Sequence, residues 1–253
     1  MREMKCKIFS LLSIVLILLL CINISFAQKL DLNNYESDTF SIFTKALGTL
    51  LGNGLFHTAA VHSISGFDIG VKSIMIFIPD KDRRGPLGGV KYIPLPLFQA
   101  DLGLHDNIEI GARYINIEFG DDVSKNVNIY TGIIKYGVFQ TFGLPKISLV
   151  GAYSRLSGVD DFKMSTLTFS GVVSEGLPLI TIYGGVSYNI YLMNASFKKG
   201  GLYTTDFSST FKETDLRYTV GVSLGLIPFS KVNMEYSSGY FKSITIGILL
   251  SLR

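Results

Sequence analysis

Side chains suited to acid–base or metal chemistry are scarce in this chain, which has three histidines and no tryptophan. His57 and His62 precede the first predicted strand, and His105 falls in a predicted tight turn. The sequence contains no zinc-ligand spacing, no nucleophile elbow and no phosphate-binding loop. We therefore expect no catalytic site, no metal and no cofactor.

A second group of candidate functional side chains consists of charges that occur singly inside apolar stretches. They are Asp68, Lys72, Asp101, Glu109, Arg113, Arg217 and Glu235. Each lies an even number of positions from nearby small or polar residues. In a strand it would therefore share their face and point away from the apolar face. Inside a narrow closed sheet such charges pair across the interior, whereas in a wider one they line a pore. We favour pairing and treat the seven as candidate lumen-lining residues.

The elements that would position these charges are long strands with one apolar face. In the last strand, positions 244, 246, 248, 250 and 252 are Ile or Leu, and the positions between them are mainly Ser, Thr and Gly. Strands of roughly 10 to 14 residues suit a tilted crossing of a bilayer. Such strands are predicted at 66–78, 91–104, 107–119, 126–140, 146–156, 163–174, 178–196, 213–227, 230–239 and 242–253. In the third strand the apolar positions change parity between Tyr114 and Ile115, which predicts a β-bulge.

The connections between these strands differ in length. Residues 79–90 and 197–212 form long polar connections, whereas 105–106 and 228–229 are tight turns. Long outer loops and short periplasmic turns are typical of outer-membrane barrels, and closure leaves no sheet edge in hydrocarbon. We predict an all-β fold, an antiparallel transmembrane β-barrel of about 10 strands over 66–253. Strand counts from 8 to 12 fit, because 56–64 could add a strand, and a soluble β-sandwich is the alternative fold.

The first residues have the features of an export signal. Arg2, Lys5 and Lys7 precede an apolar run from Leu11 to Leu20. The triplet at 25–27, Ser-Phe-Ala, is typical of a signal-peptidase site. We predict a signal peptide at 1–27 and a location in the bacterial outer membrane. Both cysteines of the chain lie inside this signal, so the exported protein would contain none.

Residues 28–65 form a separate N-terminal segment with one helix. Apolar residues recur at spacings of three and four from Phe40 to Leu51, and Gly52-Asn53-Gly54 ends the pattern. This predicts a helix near 40–52. An amphipathic helix just before the barrel either plugs the lumen or lies on the periplasmic leaflet. Its polar face is barely charged, which favours the plug.

The second predicted strand carries Pro94 and Pro96, two positions apart. Their missing N–H groups would face the same neighbouring strand, while Ile93, Leu95 and Leu97 point inward. A hydrophobic solute could leave the lumen sideways through such a gap. The alternative, which we favour at this point, is that the prolines mark a strand end above the membrane.

Two stretches of the chain, Gly54-Leu55-Phe56-His57-Thr58-Ala59 and Gly66-Phe67-Asp68-Ile69-Gly70, carry a family resemblance. With the preceding helix, they resemble the opening of an uncharacterised family of bacterial outer-membrane β-barrel proteins. The architecture is also loosely similar to long-chain fatty-acid transporters, which pair an N-terminal plug with a wall opening. Neither resemblance implies functional residues. Such barrels commonly end in an aromatic residue read by the assembly machinery, whereas this chain ends Leu252-Arg253.

The charge of the exported chain is nearly balanced. Removing 1–27 leaves 23 − 3 = 20 basic and 20 − 1 = 19 acidic residues, so we expect no nucleic-acid partner. The expected partners are outer-membrane lipid and the barrel assembly machinery. We interpret the protein as a barrel for passive passage or binding of a small solute, hydrophobic if the proline gap is used. The alternatives are a structural or adhesion barrel acting through 79–90 and 197–212 and, more weakly, an outer-membrane hydrolase.

Overall fold

The computed structural model describes residues 37–119, 125–159, 162–177, 179–197, 207–227 and 229–252. The predicted signal peptide at 1–27 lies outside these residues. The described elements are α1 (Ser37–Gly52), β1 (Phe67–Phe77), β2 (Tyr92–His105), β3 (Ile108–Phe119), β4 (Lys125–Phe139), β5 (Lys146–Ser157), β6 (Phe162–Gly176), β7 (Ile180–Phe197), β8 (Phe207–Ile227), β9 (Ser230–Ser238) and β10 (Lys242–Leu252). Two short 3-10 helices, Asp80–Asp82 and Gly85–Leu87, lie between β1 and β2.

The ten strands form one closed antiparallel barrel in which each strand pairs with its neighbours in sequence. Closure joins β1 to β10, whose register runs from Phe67↔Leu252 to Phe77↔Lys242. The predicted fold class, an all-β antiparallel barrel of about 10 strands with a short N-terminal helix, is confirmed. Residues 53–66 are all described and contain no strand, so the extra strand considered at 56–64 is wrong.

The two ends of the barrel differ in the length of their connections. At the end where β1 begins, called the short-turn end, the connections are 106–107, 140–145, 177–179 and 228–229. At the opposite, long-loop end they are 78–91, 120–124, 158–161, 198–206 and 239–241. The connection between β7 and β8, predicted at 197–212, is shorter in the structure. β8 begins at Phe207 instead of 213 and stays paired with β7 as far as Phe197↔Phe207.

The outward face of the barrel is covered by apolar and aromatic side chains. Phe98 and Val220 are each 62% exposed, and Ile134 is 55% exposed. An apolar outer band with aromatic residues is the surface that a transmembrane barrel presents to lipid. Among the described residues, no helix has the length and apolar character needed to cross a bilayer.

β3 lacks the β-bulge predicted from its sequence. Its register with β4 is unbroken from Ile108↔Tyr136 to Phe119↔Lys125, and Arg113 and Ile115 both point inward with 4% and 8% exposed. The apparent change of parity has another cause, because the interior itself changes from charged near the short-turn end to apolar near the long-loop end. This apolar zone is lined by Ile74, Ile76, Ile93, Leu95, Leu97, Ile115, Val127, Ile129, Leu156, Met164 and Met193.

α1 lies inside the barrel. It contacts β1, β5, β6, β7 and β8, which surround it from different sides of the closed sheet. Its apolar residues belong to the same buried cluster as the apolar zone. The hydroxyls of Thr44 and Thr49 donate to the carbonyl oxygens of Phe40 and Lys45 one turn earlier, so these polar side chains are satisfied within the helix. We call α1 with the following residues 53–66 the lumenal segment.

Candidate functional site inside the barrel

Three buried cations hold the carboxyl end of α1. Arg113 Nη1 donates to the carbonyl oxygen of Asn53 at 2.7 Å, and Lys72 Nζ donates to that of Gly54 at 2.8 Å. Arg113 Nη2 also donates to the Gly54 oxygen, and Arg217 Nη2 donates to the last carbonyl of the helix. The final carbonyls of a helix lack intrahelical donors and carry partial negative charge. Side chains from β1, β3 and β8 therefore fix the end of α1 within the lumen.

Two buried carboxylates, Asp101 and Glu235, lie among these cations. Gln99 links one of them to Arg113, since its Oε1 accepts from Arg113 Nε at 2.8 Å and its Nε2 donates to Asp101 Oδ2 at 2.7 Å. Ser237 Oγ donates to Glu235 Oε1 at 3.2 Å. Within the described part of the lumen, neither carboxylate lies within 4.0 Å of a cationic nitrogen. Asp101 is therefore connected to Arg113 through Gln99, whereas Glu235 is bound by the Ser237 hydroxyl.

A histidine–carboxylate cluster, formed by His57, His62, Asp68, Glu109 and Lys135, occupies the short-turn end of the lumen. His57 Nε2 lies 2.6 Å from Asp68 Oδ2, and His62 Nε2 lies 3.1 Å from Asp68 Oδ1. His62 Nδ1 lies 2.6 Å from Glu109 Oε2, and Lys135 Nζ donates to Glu109 Oε1 at 2.5 Å. All five side chains are buried. The cluster joins the lumenal segment to β1, β3 and β4.

The two histidines of the cluster lie in the lumenal segment, outside the membrane-spanning strands, and differ in charge. Burial lowers the pKa of His57 to about 3 despite the neighbouring Asp68, so its imidazole is neutral at neutral pH. Burial also disfavours charge on His62. The hydrogen bonds and charges of Asp68 and Glu109 nevertheless outweigh burial and raise the pKa of His62 above 6.5. His62 therefore binds a proton more readily than His57, and it lies between two carboxylates.

All seven lumen-lining candidates lie inside the barrel with 0 to 4% of their surface exposed. Five of them contact or adjoin the end of α1, and Asp68 and Glu109 belong to the histidine–carboxylate cluster. Sequence reasoning missed His57, His62 and Lys135 as members of this interior. Lys135 had a signal, because it shares the parity of the inward-facing Thr131. No sequence signal pointed to His57 or His62, because they lie in an irregular segment. The third histidine, His105, is exposed at the short-turn end.

α1 fills the apolar zone with aromatic contacts and one close backbone approach. The rings of Phe40 and Phe211 stack with centroids 5.5 Å apart, and Phe43 meets Phe162 edge-on at 5.7 Å. A Cβ added at Gly48 would overlap the ring of Tyr191. Glycine at this position therefore lets the helix lie directly against β7.

The amino-terminal half of α1 is also attached to the rim of the barrel at the long-loop end. Ser41 Oγ donates to Glu213 Oε1 at 2.6 Å, and Lys45 Nζ lies 3.2 Å from Glu213 Oε2. Lys45 also lies over the ring of Tyr240, 4.5 Å from its centroid. These contacts are half-buried, so they fix the position of the helix more than they stabilise it.

The wall of the barrel is incompletely paired beside the apolar zone. The ladder between β2 and β3 runs from Phe98↔Tyr114 to His105↔Ile108. Among the described residues, 92–97 of β2 pair with β1 alone, and 115–119 of β3 pair with β4 alone. We call this stretch the unpaired wall. Pro94 and Pro96 lie in it, opposite Met75 and Ser73 of β1.

The prolines explain why this stretch has no partner. They carry no N–H, so hydrogen bonds from β2 to β1 must use the alternate residues Ile93, Leu95 and Leu97. The edge of β2 that faces β3 then lacks donors at positions 94 and 96. The side chains of Ile93, Leu95 and Leu97 are buried against the apolar interior.

The outward surface continues below the unpaired wall as an apolar hollow of about 380 Å³. Its lining is contributed by β1, β2 and β3, and includes Phe67, Ile69, Ala100, Leu102 and Ala112. The small alanine side chains between larger apolar ones create the depression. It therefore lies on the same strand pair as the unpaired wall, nearer the short-turn end.

Residues 84–252, which include β2 to β10, match the model of a family of unknown function (DUF6588). The chain belongs to this family. The matched region of this DUF6588 chain contains both sides of the unpaired wall and five of the seven lumen-lining candidates. It begins after α1 and β1. A comparison with curated proteins gives no significant match.

Solved structures similar to this DUF6588 chain are bacterial barrels, at low similarity. The KdgM porin is 10% identical, with a TM-score of 0.38 over 74% of this chain and 99% of that one. The outer-membrane protease OmpT of Escherichia coli is 9% identical, with a TM-score of 0.42 over 77% and 98%. The attachment protein Ail of Yersinia pestis is 12% identical, with a TM-score of 0.32 over 74% and 95%. Similarities of this size carry no functional information, and they provide no link to fatty-acid transporters.

Proposed function

We propose that this protein lies in the bacterial outer membrane and provides a passive path for a small hydrophobic solute between its lumen and the membrane. The observation that carries the proposal is the unpaired wall, because it lies beside an interior lined by Ile, Leu, Val and Met side chains. A solute that leaves through paired strands would have to break a hydrogen-bonded ladder. At 92–97 of β2 there is no such ladder toward β3.

The polarity of the interior supports a hydrophobic solute over a polar one. The side chains closest to the unpaired wall, Leu95, Leu97 and Ile115, are apolar and 2 to 8% exposed. Transfer of an apolar solute into such a region is favourable by about 25 cal/mol for each Å² of apolar surface buried. A hydrated ion or sugar would lose its water there without receiving hydrogen bonds in return.

In this proposal, α1 fills the solute path when no solute is bound. It places Phe40, Phe43 and Leu50 in the apolar zone, each 1 to 3% exposed. A solute can enter only when the helix shifts, so the amphipathic segment is a gate. The rim contacts of Ser41 and Lys45 lie at its amino-terminal half and the three cations at its carboxyl end, which leaves the middle of the helix held by apolar packing.

The experiment that tests the proposal restores the backbone N–H donors that Pro94 and Pro96 lack. Cells that produce the Pro94→Val/Pro96→Val variant are compared with wild type for uptake of a lipophilic naphthylamine dye, which fluoresces in membranes. We expect uptake to fall several-fold, because β2 can then pair with β3. Pro145→Val, an exposed position at the short-turn end, is the matched control and leaves uptake unchanged. Equal uptake by the double variant and wild type contradicts the proposal.

A surface-binding barrel is the second candidate function. The observation that favours it is that β7 and β8 extend far toward the long-loop end. They remain paired up to Phe197↔Phe207, whereas the pairing of β8 with β9 already ends at Tyr218↔Ser238. One side of the barrel therefore stands well above the other at the long-loop end. Replacing 198–206 with a short Gly-Ser linker would abolish binding to host or bacterial surfaces in this case and leave dye uptake intact.

A further inference from the structure

The lumenal segment passes through the barrel in one direction. Its contacts with β7 follow in order: Thr44 lies against Met193, Gly48 against Tyr191 and Gly52 beside Asn189. Phe56 then meets Tyr183 edge-on with ring centroids 6.1 Å apart. Because β7 runs from Ile180 at the short-turn end to Phe197 at the long-loop end, the segment descends toward the short-turn end.

The lower contacts complete this path. His57 reaches Asp68 near the start of β1, and the backbone N–H of Ser65 donates to Gly103 at the end of β2. β1 then begins at Phe67, opposite Leu252 of β10. The amino end of α1 and the beginning of β1 therefore lie at opposite ends of the barrel.

The lengths of the connections orient the barrel in the membrane. Short turns of outer-membrane barrels face the periplasm, and long loops face the cell exterior. The amino end of α1 lies at the long-loop end, beside the rim residues Glu213 and Tyr240. From this geometry we infer that the barrel carries its own amino-terminal chain through its lumen and presents the amino end of α1 at the cell surface.

The lumenal segment is closely packed inside the described lumen. Almost every residue from Thr39 to Ala60 is buried, and the partly exposed exceptions, Ser41, Lys45 and Leu47, lie in α1. The barrel thus has a second function as an anchor that presents the amino end of α1 outside the cell. This inference is independent of the solute path, because it rests on the direction of the lumenal segment and not on the unpaired wall.

Cysteine labelling tests the inference directly. The predicted exported chain has no cysteine, so Asp38→Cys, an exposed position in the first turn of α1, introduces a single thiol. Lys81→Cys in the 78–91 loop is the control for the exterior, and Phe142→Cys in the 140–145 turn is the control for the periplasm. Both control positions are exposed. Unsubstituted protein sets the background, and heat-modifiable gel migration verifies that each variant is folded.

Intact cells are treated with a membrane-impermeant maleimide and compared with lysed cells. We expect Asp38→Cys to react in intact cells to the same extent as Lys81→Cys, while Phe142→Cys reacts only after lysis. Reaction of Asp38→Cys only after lysis, together with Phe142→Cys, overturns the inference. Reaction of Phe142→Cys but not Lys81→Cys in intact cells also overturns it, because the barrel would then have the opposite orientation. An epitope inserted before Asp38 and detected by antibody on intact cells extends the same test to a larger cargo.

Discussion

Gly48 of α1 lies so close to Tyr191 of β7 that an added methyl group would overlap the tyrosine ring. Tyr191 belongs to the buried apolar cluster that surrounds α1. Tyr191 is fully buried, so its ring has no free space to enter. This pair therefore controls how firmly α1 stays in the lumen.

The first prediction concerns this contact. Gly48→Ala is expected to destabilise the seated helix by about 1–3 kcal/mol, because overpacking a filled interior forces side chains off their rotamers. Limited proteolysis at α1 should become faster while the barrel keeps its heat-modifiable migration. Gly132→Ala, at an exposed position of β4 with open space around it, is the matched control. In a Tyr191→Ala background, adding Gly48→Ala should no longer reduce protection; a remaining reduction would show that the overlap is not the cause.

The second prediction concerns the cations at the carboxyl end of α1. Arg113→Met removes the donors to Asn53, Gly54 and Gln99. The Gly54 oxygen keeps Lys72 as a donor, whereas the buried Asn53 oxygen and Gln99 Oε1 lose the donor they had. Leaving a buried acceptor without a partner costs about 1–3 kcal/mol. We expect faster hydrogen exchange of the backbone amides around residues 50–56. Arg155→Met, on the exposed face of β5, should leave exchange unchanged; equal protection in both variants contradicts the assigned role.

The third prediction concerns pH. The pKa of His62 is raised above 6.5 in the folded protein, so protonation of this residue stabilises the seated lumenal segment. That contribution is fully present below pH 6.5 and is lost as pH rises through the raised pKa. Urea denaturation in lipid vesicles should therefore give a lower midpoint on the alkaline side of this window. His62→Gln should remove this part of the pH dependence, and an identical pH profile in the variant would rule out His62 as its source.

The fourth prediction concerns the lumen as an aqueous pore. The lumenal segment fills the described interior, so wild-type protein in a planar bilayer is expected to show little steady conductance. Deletion of residues 28–54 should raise the conductance, because it removes α1 and the carbonyls held by Lys72, Arg113 and Arg217. Equal silence of both proteins would favour a barrel that acts only through its loops.

Most strands were predictable because their apolar residues alternate with small or polar ones, and this period of two is visible within each strand alone. The change of interior polarity was not, since the step from Arg113 to Ile115 on one face resembles a shift of phase in a single sequence. The prolines indicated a weakness in β2. Only the register between β2 and β3 shows that Leu97 and Ile115 are not paired with each other. His57 and His62 could not be placed, because residues 53–66 have no periodicity from which a direction follows.

Carbene labelling is the most direct test of the lateral path. Protein in lipid vesicles is illuminated with a small lipophilic diazirine, and the adducts are located by mass spectrometry. We predict adducts on the inward-facing Leu95, Leu97 and Ile115 as well as on the lipid-facing Phe98, with the inward adducts lost in Pro94→Val/Pro96→Val. Adducts confined to outward-facing residues in the wild type would contradict a path through the unpaired wall.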